Sequence, residues 1–262
     1  MKVGVLKTND ISVSGATKTI VIGSHGAGKT SQALNYQRRY GKGLILSGES
    51  GLGSVASEAI DYIPFTSFSS SNSKGSSFQE IAAWINKSEE FSKANYKWVA
   101  IDSVTELSQQ CFKDVDDEHT QSGSTNNFEK WATYERKFVA SLKWLRDMPV
   151  HVLITCLQKE ENNDNGGIDY YPMVIQSKVA KLLPALYDHV FCLVRKTVTQ
   201  GENVRVKRFI VTDNVNGHQG KTRDPFRRLK PVEDQDDVTA LLNIIQMSKA
   251  DYEKFKKKGP TK

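Results

Sequence analysis

The chain has 262 residues, 25% charged and 38% hydrophobic, which is typical of a soluble globular protein and allows one large α/β domain. No apolar run approaches the roughly 18 residues of a membrane-spanning helix, and the first ten residues lack the features of a signal peptide. We therefore expect a cytoplasmic protein with no membrane partner. Cys111, Cys156 and Cys192 are odd in number and far apart, which indicates buried, reduced thiols.

The net charge of +6 and the pI of about 9.0 are compatible with nucleic-acid binding but do not establish it. Positive charge is concentrated in two segments. Between residues 204 and 230 only Asp213 and Asp224 oppose the cations, which are Arg205, Lys207, Arg208, Lys221, Arg223, Arg227, Arg228 and Lys230. The second segment is the C-terminal tail, with Lys254, Lys256, Lys257, Lys258 and Lys262. The alternative to nucleic-acid binding is that the first segment is a solvated surface and the second is a frayed tail.

Residues 23–30 match the pattern G-x-x-x-x-G-K-[ST] between a predicted buried strand at 19–22 and a predicted helix at 31–37. Glycines in such a loop let backbone N–H groups wrap a phosphate at the positive end of the helix dipole. Lys29 would reach the β- and γ-phosphates, and Thr30 would bind Mg²⁺. The sequence therefore predicts ATP and Mg²⁺ as cofactors. The predicted nucleotide-binding residues are Gly23, Ser24, His25, Gly26, Ala27, Gly28, Lys29, Thr30 and Ser31.

A second buried strand at 43–47 is followed by Glu49. An acid about 20 residues beyond a glycine-rich turn could bind a ribose, as it does in dinucleotide folds. However, the turn ends in Gly-Lys-Thr, which suits a triphosphate and Mg²⁺. We therefore interpret Glu49 as the catalytic residue that polarises the hydrolytic water; the alternative is a solvated loop acid.

A weaker strand is predicted at 62–65, and the Ser/Gly-rich segment 67–77 is predicted to be a mobile loop. A capping box beginning at Ser77 predicts a helix to about residue 91. The next strand, 98–101, ends in Asp102. Because parallel strands present ligand-binding residues at their carboxyl ends, Asp102 is the predicted carboxylate of the Mg²⁺ site, with Ser103 beside it.

Residues 118–127 are polar and predicted to be exposed. The long helix that follows has an apolar stripe, which indicates a core-facing side and consists of Phe128, Trp131, Tyr134, Phe138, Leu142 and Leu145. A strand at 150–155 leads to Gln158, the predicted contact for the γ-phosphate, with Thr155 as the second choice. The acidic segment 160–167 is predicted to be a flexible loop.

A helix at 177–187 and a strand at 189–194 precede two strand-like stretches that flank Gly201 and predict an antiparallel edge hairpin. The pattern is helical again from 237 to about 254. We expect an α/β fold with a central, mostly parallel sheet and helices on both faces. The predicted divisions are an N-terminal extension at 1–17, an ATPase core at 18–230, and a C-terminal helix and basic tail at 231–262.

Lys221 and Arg223 are two cations one residue apart on a predicted extended segment, so their side chains point the same way. Such a pair can stabilise charge on a transferring phosphoryl group, so both are candidate catalytic residues. If the pair is far from the phosphate loop, it could act only on a neighbouring subunit. The alternative is a basic surface or a contact with the DNA backbone.

With these motifs in this order, the chain resembles the RecA-like P-loop ATPase core from about Lys18 to Leu229. It is most similar to the short RecA-core ATPases of bacteriophages, which include ATP-dependent single-strand annealing proteins. The resemblance implies that Glu49 is the catalytic base. It also implies that Lys221-x-Arg223 resembles the fingers that ring helicases and recombinase filaments insert into a neighbour's site. For a phage-encoded protein the compartment would be the host cytoplasm.

Three functions remain open. The favoured one is an ATP-driven recombination protein that anneals or handles single-stranded DNA as an oligomeric ring or filament, with a single-stranded DNA-binding protein or a replication protein as a possible partner. The second is a P-loop switch or loader that acts on a protein partner without DNA contact. The third, a small-molecule kinase, ranks lowest because no arginine lies between Thr155 and Arg195 to form a lid.

Overall fold

The computed structural model describes residues 15–49, 51–69, 75–200 and 203–258. The first half of the chain forms β1 (Lys18–Gly23), α1 (Gln32–Tyr40), β2 (Gly43–Ser47), a short 3-10 helix (Leu52–Val55), β3 (Asp61–Pro64), α2 (Phe78–Lys87), α3 (Glu89–Ala94), β4 (Trp98–Asp102) and α4 (Val104–Gln121). The second half forms α5 (Asn127–Asp147), β5 (His151–Asn162), β6 (Ile168–Pro172), α6 (Ser177–Leu186), β7 (His189–Gln200), β8 (Asn203–Val211), β9 (Asn214–Val215), β10 (His218–Gln219), β11 (Val232–Glu233), α7 (Val238–Gln246) and α8 (Lys249–Lys258).

The central sheet has the order β11-β8-β7-β1-β5-β4-β2-β3. Strands from β3 through β7 in this order are parallel, whereas β8 and β11 are antiparallel to their neighbours. Every residue of β2 and β4 is buried, as expected for parallel strands covered on both faces. The expected mostly parallel sheet with an antiparallel edge is confirmed.

Helices cover both faces of this sheet. On one face, α2, α4, α5 and α6 bury a large cluster that includes Phe78, Leu107 and Phe138. On the other face, α1 and α7 bury a smaller cluster that includes Tyr36 and Leu241. Successive side chains of β1 alternate between the two clusters, because neighbouring residues of a strand point to opposite faces.

Polar caps set the ends of several helices. The capping box predicted at Ser77 is present: its hydroxyl accepts from the N–H of Glu80, and the Glu80 carboxylate accepts from the N–H of Ser77. The helix predicted to reach residue 91 is instead two helices, because Ser88 interrupts α2 and caps α3. The single helix predicted from residue 237 is likewise interrupted, at Ser248, whose hydroxyl accepts from the N–H of Asp251.

The polar segment 118–127 is exposed or partly exposed, as predicted, but its first four residues and Asn127 are helical. Helix α4 continues to Gln121, and α5 begins at Asn127. The physical reason is pairing between the two helices, since the Glu118 carboxylate lies 2.7 Å from Lys137 Nζ. Only residues 122–126 connect the helices.

The loop predicted at 160–167 is wrong for residues 160–162, which are part of a strand. Strand β5 continues to Asn162 and pairs antiparallel with β6, so residues 163–167 form a hairpin turn. Cross-strand hydrogen bonds hold this hairpin although most of its side chains are partly or fully exposed, which removes the apolar alternation that identifies a strand in sequence.

Two predicted segments fall partly or wholly outside the described residues: most of the 1–17 extension, and residues 70–74 of the predicted mobile loop. The predicted boundary at residue 230 stays a prediction, although β11 pairs with β8 and α7 packs against α1. All three cysteines are buried, as expected. Among the described helices, none is long and apolar enough to cross a membrane.

Candidate nucleotide-binding site

The predicted phosphate loop joins β1 to α1 at the carboxyl edge of the sheet, where the parallel strands end. Gly26 and Gly28 have φ angles of +68° and +97°, which favour glycine and turn the backbone into a cradle. Lys29 Nζ donates to Ser24 O at 2.9 Å, so this lysine spans the loop. Burial lowers the pKa of Lys29, and the nearby Glu49 carboxylate opposes that shift.

Thr30 and Asp102 meet beside this loop, as predicted for the Mg²⁺ site. The Thr30 hydroxyl lies 3.1 and 3.2 Å from the two carboxylate oxygens of Asp102. Hydroxyl and carboxylate oxygens are the ligands that Mg²⁺ prefers, so the pair fits this cation. Burial raises the pKa of Asp102, and hydrogen bonds from Thr155 and Thr30 oppose that shift.

Glu49 lies next to this pair because β2 and β4 are adjacent parallel strands whose last residues, Ser47 and Asp102, are in register. The Ser103 hydroxyl donates to Glu49 Oε1, and the N–H of Gly48 donates to Asp102 O at 2.8 Å. The structure therefore brings Glu49, Lys29 and Asp102 to one place. Glu49 is exposed, and its catalytic role stays a prediction.

The two β5 residues predicted to contact the γ-phosphate lie in different environments. Thr155, the second choice for the γ-phosphate, donates to Asp102 Oδ1 and is buried, so it positions the carboxylate. Gln158 follows Leu157, which pairs with Gly23 at the start of the phosphate loop. Gln158 is partly exposed at the carboxyl edge, and its predicted contact with the γ-phosphate stays a prediction.

Lys221 and Arg223 lie at the opposite, amino edge of the sheet. Lys221 Nζ donates to Pro184 O and Tyr187 O, and Arg223 Nη1 lies 3.0 Å from Asp188 Oδ1. The N–H of Asp188 in turn donates to Lys18 O, at the first residue of β1. Since a six-residue strand spans about 20 Å, this pair cannot reach the phosphate loop of its own subunit.

Two arginines of the β7–β8 hairpin approach the phosphate loop, and neither was predicted from sequence to be part of the site. Arg195 Nη1 lies 2.8 Å from where a Cβ on Gly26 would stand, and Arg208 Nε lies 3.9 Å from the equivalent point on Gly28. A kinase lid was considered absent because no arginine lies between Thr155 and Arg195, yet Arg195 itself reaches the loop. Only strand register could have identified this contact, because the two segments are far apart in sequence.

A family model described as an AAA domain matches residues 16–224. Among solved structures, the chain is similar to the flagellar accessory protein FlaH from Methanocaldococcus jannaschii, with 12% identity over 82% of this chain and 88% of that chain and a TM-score of 0.36. It is also similar to the RadB recombinase, with 14% identity over 76% and 80% of the two chains and a TM-score of 0.40. An ATPase from the type III secretion system of pathogenic bacteria shares 13% identity over 69% and 51%, with a TM-score of 0.40. No sequence among curated proteins matches this chain.

Proposed function

The chain belongs to the AAA domain family, whose model matches residues 16–224, and is therefore an ATPase; we propose that it acts on single-stranded DNA as a homo-oligomer. ATP hydrolysis, with ATP and Mg²⁺ as cofactors, comes with that membership and with the P-loop fold. When bound, Mg²⁺ would neutralise phosphate charge, and Thr30 and Asp102 would hold it. The action on DNA, by annealing or strand handling, is the proposed part.

The main support for DNA as the substrate is the position of the β7–β8 hairpin. It continues beyond Leu193, which pairs with Gly23, and so projects past the phosphate loop at the carboxyl edge. Its outer face carries Arg205 and Lys207, both exposed. Cations on a hairpin beside the ATP site could bind a DNA backbone and couple that binding to hydrolysis.

The turn between α4 and α5 projects from the same edge. The Ser108 hydroxyl lies 2.6 Å from Tyr134 OH, so the first turns of α4 face the middle of α5, whose end leads into the amino end of β5. Residues 122–126 therefore lie beyond the carboxyl edge and carry no charge. Phe128 follows them with 90% of its surface exposed, and an exposed aromatic ring can stack on an unpaired base.

The position of Arg223 supports a subunit-sharing oligomer. Its side chain is 66% exposed at the amino edge, beside a cleft of about 570 Å³ that also includes His189 and Thr17. In a head-to-tail assembly, the amino edge of one subunit can face the carboxyl edge of the next. Arg223 would then reach a neighbour's phosphates, whereas Lys221 would remain bound to the end of its own α6.

The test is the rate of ATP hydrolysis with and without single-stranded DNA, together with DNA binding at low and moderate salt. We expect stimulation by DNA and binding that weakens steeply with salt. Arg205→Ala and Phe128→Ala should each reduce DNA affinity. Phe226→Ala, which removes another exposed phenylalanine, is the matched control. No stimulation and no binding at low salt would contradict the proposal.

One observation favours the second candidate, a switch or loader that acts on a protein. The tip of the β5–β6 hairpin carries Glu160, Glu161, Asp164 and Asp169 next to the exposed Ile168. This acidic surface would repel a DNA backbone but suits a basic protein surface. Under this function, ATP hydrolysis is indifferent to DNA and Ile168→Ala weakens capture of one protein partner.

A further inference from the structure

The β7–β8 hairpin presents two like-charged cross-strand pairs on its two faces. Arg195 lies directly opposite Arg208, and the next pair is Lys196 opposite Lys207. Because neighbouring residues of a strand point to opposite faces, the two pairs face opposite directions. Only the arginine pair lies next to the phosphate loop, near Gly26 and Gly28.

Like charges placed directly opposite each other destabilise a strand pair unless an anion lies near both. Arg208 Nη1 has Asp236 Oδ2 at 3.5 Å. Among the described residues, no carboxylate lies within ion-pair distance of Arg195. The guanidinium of Arg195 is therefore an exposed cation without an acidic partner in the described part of the chain, and it is directed at a loop of backbone N–H groups that binds anions.

The phosphate-loop helix helps to hold this arrangement. Gln32, in the first turn of α1, donates to Asp236 O at 2.7 Å and accepts from the N–H of Val238 at 3.1 Å. Asp236 is thus tied through its backbone to α1 and through its carboxylate to Arg208. The hairpin and the phosphate loop are linked by contacts that do not need a bound nucleotide.

We propose that Arg195, with Arg208 beside it, binds the phosphate groups of the nucleotide held by the phosphate loop of the same subunit. A guanidinium can bind two phosphate oxygens at once, and the segment near Gly26 and Gly28 cradles the α- and β-phosphates. Arg195 therefore contacts a diphosphate as well as a triphosphate. This role differs from that of Arg223, which would need a neighbouring subunit. It rests on the ATP binding of the family and not on the proposed action on DNA.

The test is titration of wild-type protein and variants with fluorescent ADP and with a non-hydrolysable ATP analogue, at fixed ionic strength and without DNA. Loss of a charged, bidentate contact in Arg195→Ala should raise the Kd for both nucleotides about tenfold or more. Lys196→Ala is the matched control: it removes the neighbouring cation on the opposite face and should change each Kd by less than about twofold.

Equal ADP affinity in Arg195→Ala and wild type overturns the proposal, whether or not DNA binding falls. An equal loss in Lys196→Ala also overturns it, since the effect would then be general charge. The variant Arg195→Lys distinguishes loss of a phosphate contact from loss of folding stability. Partial recovery of affinity supports phosphate contact, as does no recovery with an unchanged melting temperature of the nucleotide-free protein. No recovery with a lowered melting temperature overturns it. DNA stimulation of hydrolysis is measured separately, so either proposal can fail alone.

Discussion

Glu49 is the residue at which binding and hydrolysis can be separated. Its carboxylate is exposed beside Lys29 and accepts from Ser103, so an amide of the same shape can replace it. Glu49→Gln should lower kcat by at least about 100-fold, since general-base catalysis contributes that much, and should leave the affinity for ATP within about twofold. Steady-state hydrolysis and ATP titration check this. Glu58→Gln, an acid paired with Arg38, is the control; normal turnover by Glu49→Gln would contradict the assignment.

Thr155 acts through Asp102, to which its buried hydroxyl donates. Thr155→Val keeps the shape and removes that hydrogen bond, so the carboxylate is less well fixed. We expect the Mg²⁺ concentration for half-maximal hydrolysis to rise about fivefold or more, consistent with the loss of one charge-assisted hydrogen bond. Thr212→Val removes another buried hydroxyl, which donates to Lys230 O, and should leave this concentration unchanged. An equal rise in both variants would contradict a specific role.

The apolar stripe of helix α5 contains both buried and exposed residues, which should contribute differently to the free energy of unfolding. The sequence predicted a core-facing side for the whole stripe, yet Phe138 is fully buried and Phe128 is 90% exposed. Phe138→Ala should lower the free energy of unfolding by about 3–5 kcal/mol, because it leaves a cavity. Phe128→Ala should change it by less than about 0.5 kcal/mol. Urea denaturation of both variants checks this, and similar losses would contradict the placement of α5.

Across the whole fold, His189 makes stability depend on pH. It is buried at the start of β7, and burial lowers its pKa from 6.5 to about 4. The unfolded chain therefore binds more protons than the folded chain between these values, so stability falls as the pH drops through that window. Between pH 7 and pH 5 we expect His189 to contribute a loss of about 2 kcal/mol. His189→Gln should reduce the slope of the unfolding free energy against pH, measured by urea denaturation at several pH values. An unchanged slope would contradict this.

At the scale of the assembly, two inactive variants should complement each other if Arg223 acts on the nucleotide of a neighbouring subunit. Arg223→Ala should fold normally, because its side chain is mostly exposed and has one ion pair, with Asp188. Alone, Arg223→Ala and Glu49→Gln should each hydrolyse little ATP. Mixed in equal amounts, they should recover activity at about a quarter of random head-to-tail interfaces. No recovery in mixtures that assemble normally would show that Arg223 does not act on a neighbour.

Local patterns were enough to predict the centre of the site. The phosphate loop needs only a glycine-rich run between a strand and a helix, and Glu49 and Asp102 need only to end neighbouring apolar strands. Capping at Ser77 is also local, and it was predicted correctly. The β5–β6 hairpin was missed because its exposed strands carry no apolar alternation, and the interruption at Ser88 was missed because a cap inside a helical pattern leaves the periodicity intact.

The sequence by itself therefore determined the cofactors, the fold class and which acids lie beside the phosphate loop, because these depend on short segments whose spacing is constrained. Only the tertiary structure decided which cations lie near the phosphate loop. The register of β7 with β1 and β8 places Arg195 at Gly26, and the pairing of Lys221 with Val190 places Arg223 at the opposite edge. Such contacts join residues far apart along the chain, and their distances are set by strand register and not by sequence spacing.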